Sequence, residues 1–585
     1  MDFFEQQELA RRNSRRLVLW FLLAAAFTVA SYAAVAAAVF ALFSKYWLGT
    51  AQVPWQVPAM TAALIGGGIL VVSVYRLWQL REGGHAVAEL LGARYIDPGR
   101  CNPAERRLLN VIEEMAIASG VSVPPLYLLA HEHAVNGLVA GHSPNEAVLI
   151  MTRGALDKLS RDELQGVVGH EFSHLLNGDM ALNVRLAGLL SGLTWLGELG
   201  EQMVYGAARQ ARAAPREKQT AEAAVLAVAG FAIALIGFPG TLAAAAIKAA
   251  ISRQREFLAD AASVQFTRNP EGIAGALDSI LALPAHTVVL ATHSEGLAHM
   301  FFAPAVAHWW GFPTHPPIAE RIYRAHPRFQ RDDYRARRHG RRREVAVIDG
   351  GGNVVKHVRA GALEVLATIG QPTARHVEFG ARLLARLPER LREALHDPKQ
   401  AERALFALGG FPDKDHDLGP YVSGLAREHM LALAELALPA VKSQPQKDRD
   451  AFIGEFVARV EADRRVTLRE FVLLTFVRQH LREGAGQPIP TRYRKVAEVE
   501  QDLKVVLSLL ARVSGTGGEA PGAAVVAAAL ERLRHLAPFE KPRVLKACLE
   551  AASSDGSISS GEGELVRMVA ATLDCPVPPL LLQAA

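Results

Sequence analysis

Residues 169–174 read Gly-His-Glu-Phe-Ser-His, a His-Glu-x-x-His pattern. On a helix, residues four apart share one face, a turn above each other. His170 and His174 therefore present two imidazoles to a common point. Neutral imidazole is a good zinc ligand, and a pair at this spacing is half a site. Glu171 stands beside the pair, within reach of a water activated there, and suits the part of general base. The flanks favour a helix, because Ser160 and Glu163 read as a capping box followed by Leu164, Val167 and Val168. The competing reading is two solvated histidines on an ordinary helix. It weakens if a third ligand stands further along the chain.

One does, in Ser252-Arg-Gln-Arg-Glu256-Phe-Leu-Ala-Asp260. Glu256 and Asp260 are four apart, hence on one helical face. Two histidines and a glutamate, with the fourth position open, form a catalytic zinc set. Glu256 is thus the expected third ligand, against the bland reading of a solvated charge beside Arg253 and Arg255. Asp260 can orient a ligand imidazole, since such rings usually donate their second N–H to a carboxylate. Asp179, in Asn177-Gly178-Asp179, can do the same or can simply mark a helix-ending turn. His131, His133, His142, His286, His293, His299 and His308 lack ligand spacing to one another.

These residues need elements to position them, and the composition says what kind. Of 585 residues, 50% are apolar and 21% charged, which leans toward membrane segments. The net charge of +5 is too mild to argue for nucleic acid. Cys101, Cys548 and Cys575 are odd in number and far apart, so neither a disulfide framework nor a cysteine zinc site is indicated.

Arg11, Arg12, Arg15 and Arg16 precede a charge-free run from Leu17 to Ser44. Its 28 residues exceed the roughly 20 that span a bilayer. A cleaved signal peptide is the weaker alternative, because its apolar core is shorter. A second apolar run covers Met60 to Tyr75, and Arg76, Arg81 and Arg94 come after it. Basic residues at both outer flanks put both ends in the cytoplasm. Leu186 to Gly197 is too short for a confident span, whereas Ala223 to Ile247 is long enough. Arg209, Arg212, Arg216 and Lys218 lie between them and disagree with an external loop. Residues 182–250 therefore either span or form a hairpin at the membrane surface.

Between these stretches, Pro103 to Ser119 carries helical periodicity. Leu126–Leu129, Asn136–Ala140 and Ala147–Met151 read as strands, the last two as a hairpin around Gly141, Ser143, Pro144 and Asn145. The hairpin is either structural or an edge able to hold an extended peptide.

Taken together, the motifs resemble the M48 family of membrane zinc metalloproteases (HtpX-like). The resemblance runs from about residue 80 to 325. It rests on Asn136-Gly-Leu-Val-Ala-Gly141, the His-Glu-x-x-His helix with Asp179, the Glu256-x-x-x-Asp260 helix, and Thr314-His-Pro-Pro-Ile-Ala-Glu-Arg-Ile322. It implies zinc on His170, His174 and Glu256, with Glu171 and His315 as catalytic groups. His315 would donate to the developing oxyanion, or else be a proline-fixed turn histidine. Asn136 would lie on the strand that aligns the substrate, and Arg321 near the site as a substrate-binding residue. Gly137 departs from the alanine often found in related sequences, which touches strand rigidity rather than chemistry.

Ten arginines fall between Arg321 and Arg343. Such a run is usually a solvated linker, and beside a membrane it can also touch anionic lipid. The remainder is rich in Ala, Leu, Arg and Glu, with helical periodicity in 381–395, 401–408, 425–438, 450–460 and 525–536. Residues 463–470 and 555–562 echo each other as Asp-x-x-β-branched-hydroxyl-x-x-Glu, which a helix capping box explains. A calcium loop fails, because the twelfth position from Asp555 is Val566. The helix pairs resemble the TerB-like tellurite-resistance module, implying an interaction or regulatory region with a protein partner.

The expected fold is mainly α with a small β-sheet: a membrane-anchored gluzincin-type metalloprotease domain plus an all-α C-terminal domain. The divisions are a transmembrane hairpin (1–80), the metalloprotease domain (81–330, with membrane-associated segments at 182–250), a basic linker (331–360) and the helical domain (361–585). The expected activity is zinc-dependent endopeptidase action on misfolded or membrane polypeptides at the cytoplasmic side of a bacterial inner membrane. The alternative is a membrane-tethered scaffold that recruits partners through its C-terminal domain, with a structural or idle zinc site.

Overall fold

The computed structural model describes residues 3–48, 53–213, 220–282, 289, 296–305, 315–341, 368–411, 429–462, 466–482, 489–515, 521–554 and 558–579. Helices dominate and surround one small sheet, as the sequence leads one to expect.

The chain opens with α1 (Phe3–Leu48) and α2 (Gln56–Gln79). Both are inside-out. Trp20, Leu23, Phe27 and Leu42 on α1, and Leu64, Leu70 and Val71 on α2, are more than half exposed. An apolar surface of this extent is stable against lipid, not water. Val18–Tyr46, Gln56–Glu82 and Ala223–Thr267 are long and apolar enough to cross a membrane.

The elements that carry the site come next in the chain: α3 (Gly84–Leu90), β1 (Arg94–Tyr95), α4 (Pro103–Ser119), β2 (Leu126–Leu129), β3 (Gly137–Ala140), β4 (Val148–Thr152), α5 (Arg153–Lys158) and α6 (Arg161–Asn177). The sheet order is β1-β2-β4-β3. β2 and β4 run parallel, β3 and β4 form the antiparallel hairpin, and β1 pairs antiparallel with β2. β1 escapes sequence reading because two residues carry no period. β4 is buried along its whole length, which explains its unbroken run Val-Leu-Ile-Met. α4 and α6 close one side of the core, where Leu108, Ile112 and Met115 meet Val168, Phe172 and the inward residues Leu149 and Met151. Asn102 caps α4 and Ser160 caps α6, each in a capping box with the glutamate three residues on.

α6 turns at Gly178 (φ 73°) into α7 (Asp179–Ala213), which lies along α8 (Thr220–Thr267). The two backbones nearly touch. A Cβ on Gly200 would collide with the nitrogen of Ala234, and one on Gly237 with that of Gly197. The stretch from Leu186 to Gly197 is short because it is covered. Leu186, Leu190 and Leu193 pack on Ile69 of α2 and on Ala244 and Ile247 of α8. α8 carries Pro239 within it and ends beside the sheet, bringing Glu256 and Asp260 to α6. α9 (Pro270–Leu281) packs on the far side of α6.

The expected linker at 331–360 is corrected in its first part. After α10 (Ile318–Ala325), residues Arg331–Arg341 form α11. α11 is held on α9 by Arg335 and Arg331 at Asp278 (2.7 and 3.5 Å) and Arg337 at Glu271 (2.9 Å). These three arginines pair with the protein's own carboxylates. Residues 342–360 lie outside the described residues.

The rest is helical: α12 (Ala374–Arg386), α13 (Glu389–His396), α14 (Pro398–Leu408), α15 (Met430–Lys442), α16 (Gln446–Glu461), α17 (Leu468–Leu481), α18 (Glu500–Val513), α19 (Ala523–Leu533), α20 (Lys541–Ala552) and α21 (Ser560–Thr572). The periodic stretch 381–395 is two helices, broken at Leu387-Pro388 because the residue before a proline disfavours helix. The echoed motifs are the capping boxes Thr467/Glu470 and Ser559/Glu562.

Candidate active site

His170 and His174 lie on one face of α6, both buried, and Glu256 of α8 faces them. The two Nε2 atoms are 3.2 Å apart. Glu256 places Oε2 3.7 Å from His170 Nε2 and Oε1 3.6 Å from His174 Nε2. Ligands about 2.0–2.1 Å from a tetrahedral zinc stand about 3.3 Å from one another. The three atoms are therefore spaced for one such ion, and they are the only such cluster among the described residues.

A second layer fixes both rings. Asp260 Oδ1 accepts from His170 Nδ1 at 2.9 Å. Asp179 Oδ2 accepts from His174 Nδ1 at 3.3 Å. With the Nδ1 proton committed to a carboxylate, each Nε2 keeps its lone pair toward the shared point. Both carboxylates are themselves held by arginine. Arg255 Nη1 pairs with Asp179 Oδ1 at 2.7 Å. Arg321 Nε and Nη2 grip Asp260 Oδ2 and Oδ1, each at 2.8 Å.

Arg321 goes further. It is 0% exposed, and its Nη1 donates to the carbonyl of Phe302 at 2.6 Å and lies 3.2 Å from Glu256 Oε2. Its guanidinium stacks 4.9 Å from the Phe302 ring, whose other neighbour is the His170 imidazole. Its donors thus meet Asp260, Glu256 and the Phe302 carbonyl.

Glu171 projects from α6 toward β3. Neither carboxylate oxygen has a hydrogen-bond partner among the described residues. Burial pushes its carboxyl up to about 7, helped by Glu256 and opposed by His174, the nearby Val139 backbone and Arg321. Burial holds His170 down to about 3 despite Asp260. For His174, burial works against the charged ring, but Asp179, Glu256 and Glu171 outweigh it and raise it to about 9, so a metal binding at its Nε2 displaces a proton.

Asn136 is where the chain enters β3, but its side chain does not face a substrate. Nδ2 donates to the carbonyl of Ala303 at 3.0 Å, and Oδ1 accepts from Ala303 N at 3.1 Å. The amide thus acts as one more rung of backbone, pinning residues 301–303 to the sheet. Phe302 N adds a bond to the Gly137 carbonyl at 2.8 Å. Asn136 therefore holds the segment that supplies Phe302. His315 is also buried, with Nε2 donating to the Phe301 carbonyl at 2.7 Å. That bond ties His315 to the same segment. Burial, with Arg321 nearby, keeps its ring neutral, at about 3.

Sequence reasoning missed Arg255 and Phe302. Arg255 stands in the quoted motif but reads there as a solvated partner of Glu256. Phe302 sits in a featureless apolar stretch.

The edge of β3 completes the geometry. Thr152 N bonds the Asn136 carbonyl, so residues 136, 138 and 140 face β4 and Gly137 and Val139 face outward. The Gly137 carbonyl is taken by Phe302, which leaves the Val139 backbone on the edge beside Glu171. Gly137 also makes room for Met151, whose sulfur stands 2.5 Å from where a Cβ would be.

A buried His-Glu-x-x-His helix, a third carboxylate from a later helix and a strand edge beside the base define a metallopeptidase centre. The description of peptidase family M48 matches residues 103–328. The chain is 30% identical over 268 residues to a Protease HtpX homolog of Streptococcus uberis, covering 44% of this chain and 83% of that protein. It is 32% identical over 262 residues to a Protease HtpX homolog of Streptococcus pneumoniae, with the same coverage. The chain belongs to peptidase family M48 and is a membrane-bound metalloprotease. No solved structure matches it.

Proposed function

We propose that this chain is a zinc-dependent endopeptidase that hydrolyses peptide bonds in misfolded or membrane polypeptide segments on the cytoplasmic side of the inner membrane. The observation that carries the reading is the convergence of His170, His174 and Glu256 beside a buried, unpartnered Glu171. His170, His174 and Glu256 would hold the metal. When bound there, zinc supplies a positive charge that polarises a carbonyl and acidifies water. Glu171 takes the water's proton and passes it to the leaving amine. Asp260 and Asp179 hold the two imidazoles in the ligating tautomer, and Arg321 and Arg255 hold those carboxylates. The substrate lies extended along β3, bonding the Val139 backbone as an added strand. Such a mode reads backbone rather than side chains, which suits unfolded segments of varied sequence. The cytoplasmic placement rests on the basic flanks of the first two spans.

An idle site would have no reason to bury a carboxylate without a partner, since that costs about 1–3 kcal/mol or more. The test uses detergent-purified full-length protein on casein. Cleavage should stop with a chelator and return with zinc. Glu171→Gln should lose about 10²–10⁴-fold in kcat while keeping its zinc. Equal cleavage by both proteins, or none by either with zinc bound, would leave the scaffold reading standing.

A further inference from the structure

The matched relatives cover the protease region, so the helices after residue 368 have no assigned part in catalysis. Their docking is nevertheless built into the core of the protease. Glu113 of α4 is fully buried, and its partners come from α13: Arg392 at 2.5 Å and His396 at 3.0 Å. Arg392 also bonds Asn110 Oδ1. The next residue, Glu114, is bonded by Arg161, the first residue of α6, at 2.5 and 2.7 Å. Adjacent carboxylates on one helix thus hold the C-terminal helices and the His-Glu-x-x-His helix.

Glycines let the backbones close. A Cβ on Gly120, the left-handed residue that ends α4, would collide with the carbonyl of Val577. One on Gly380 of α12 would stand 2.6 Å from that of Glu114. An interface with a buried carboxylate and backbone-to-backbone approach is permanent rather than transient.

This docking reaches the substrate side at the hairpin turn. Lys442, at the end of α15, donates its Nζ to the carbonyl of Asn145. Asn145 lies in the turn that joins β3 to β4. Around that bond the turn is loosely packed. Tyr95, Tyr127, Pro144, Glu146, Leu438 and Lys442 line a cavity of about 210 Å³. The turn is also held by His142 at the carbonyl of Leu80 and by Glu146 against Gly83, and Lys442 is the charge that reaches it from the C-terminal helices. A charge-assisted bond to a backbone carbonyl is among the stronger single contacts.

We propose that the C-terminal helical region is a fixed part of the catalytic unit, and that Lys442 is a positioning residue that sets the β3 edge through the hairpin turn. The inference rests on the reading of β3 as the substrate edge. In this view the added helices tune peptide binding, not chemistry.

The test compares full-length wild type, Lys442→Met and Lys442→Arg. Amide exchange across residues 137–151 should quicken by about five-fold or more in K442M and return toward wild type in K442R. KM for an unstructured peptide should rise about five-fold in K442M, with kcat within about two-fold and zinc content unchanged. If K442M does not fold, Lys442→Gln, which keeps a donor at reduced reach, takes its place. Unchanged exchange in the hairpin overturns the proposal. So does a fall in kcat and zinc with KM constant, which marks a general structural role. Absence of chelator-sensitive cleavage in wild type would instead overturn the peptidase reading, and the exchange measurement still decides the part played by Lys442.

Discussion

Two buried arginine–carboxylate pairs can be set side by side. Arg321 lies at the active site and Arg567 joins α21 to α15 in the C-terminal helices. Arg321 meets both oxygens of Asp260, one of Glu256 and a backbone carbonyl. Arg567 makes one bond, 2.8 Å to Glu435 Oε1, and leaves Glu435 Oε2 without a hydrogen-bond partner among the described residues. Burying a charge is costly unless it is fully paired. The first site meets that requirement and uses the rigidity to hold two expected zinc ligands. The second does not, and no cluster of ligating groups surrounds it among the described residues. Burial and pairing alone therefore do not mark a functional centre. What marks it is that the paired groups point at a third thing.

The comparison can be broken at the first pair. Arg321→Met should lower zinc affinity by about 10–100-fold, measured by competition with a chromogenic chelator. It should also destabilise the fold by about 3–5 kcal/mol, because Asp260 is left buried and unpaired. Unaltered zinc affinity would reduce Arg321 to packing.

The matching change at the second pair, Arg567→Met, should destabilise by about 3 kcal/mol in a denaturant titration. Zinc stoichiometry and kcat of the folded fraction should stay at wild-type values. Loss of zinc in this variant would mean that the two pairs are coupled.

A pH measurement sharpens the difference. Burial raises the Glu435 carboxyl to about 7, with Arg567 opposing. A carboxyl raised on folding contributes stability below its unfolded value, about 4.5, and loses it as pH rises through 7. Wild type should therefore lose stability relative to Glu435→Gln between about pH 4.5 and 7.5, on the order of 3 kcal/mol. Parallel pH profiles of thermal midpoint for the two proteins would contradict this.

Much of the site is legible in the sequence, for reasons of local geometry. The i,i+4 spacing puts His170 and His174 together on any helix, and the capping box at Ser160 makes the helix. Asp179 comes within one turn of its end. Glu256 and Asp260 are legible as a pair for the same reason, although the 81 residues between His174 and Glu256 give no local cue to their meeting. Three expectations from resemblance carried the right residues to the right place with different contacts. Arg321, Asn136 and His315 all surround the site, where they hold Asp260, Ala303 and Phe301. Partners 14, 61 and 167 residues apart in the chain are set by packing, and no spacing rule encodes them.

The helices therefore arise from sequence: period, caps and apolar runs determine α1, α2, α4, α6 and α8 within the chain. The linker reading of 331–341 failed because the acids that bind its arginines, Asp278 and Glu271, belong to α9. β1 was invisible because two residues show no pattern. Only the tertiary structure decided which arginine serves which carboxylate, that segment 301–303 covers half of the β3 edge, and that helices far along the chain grip its turn. The cause is physical. Helix and capping preferences act over a few residues, whereas pairing of buried charges and backbone contact at Gly120 and Gly380 arise only when distant elements meet.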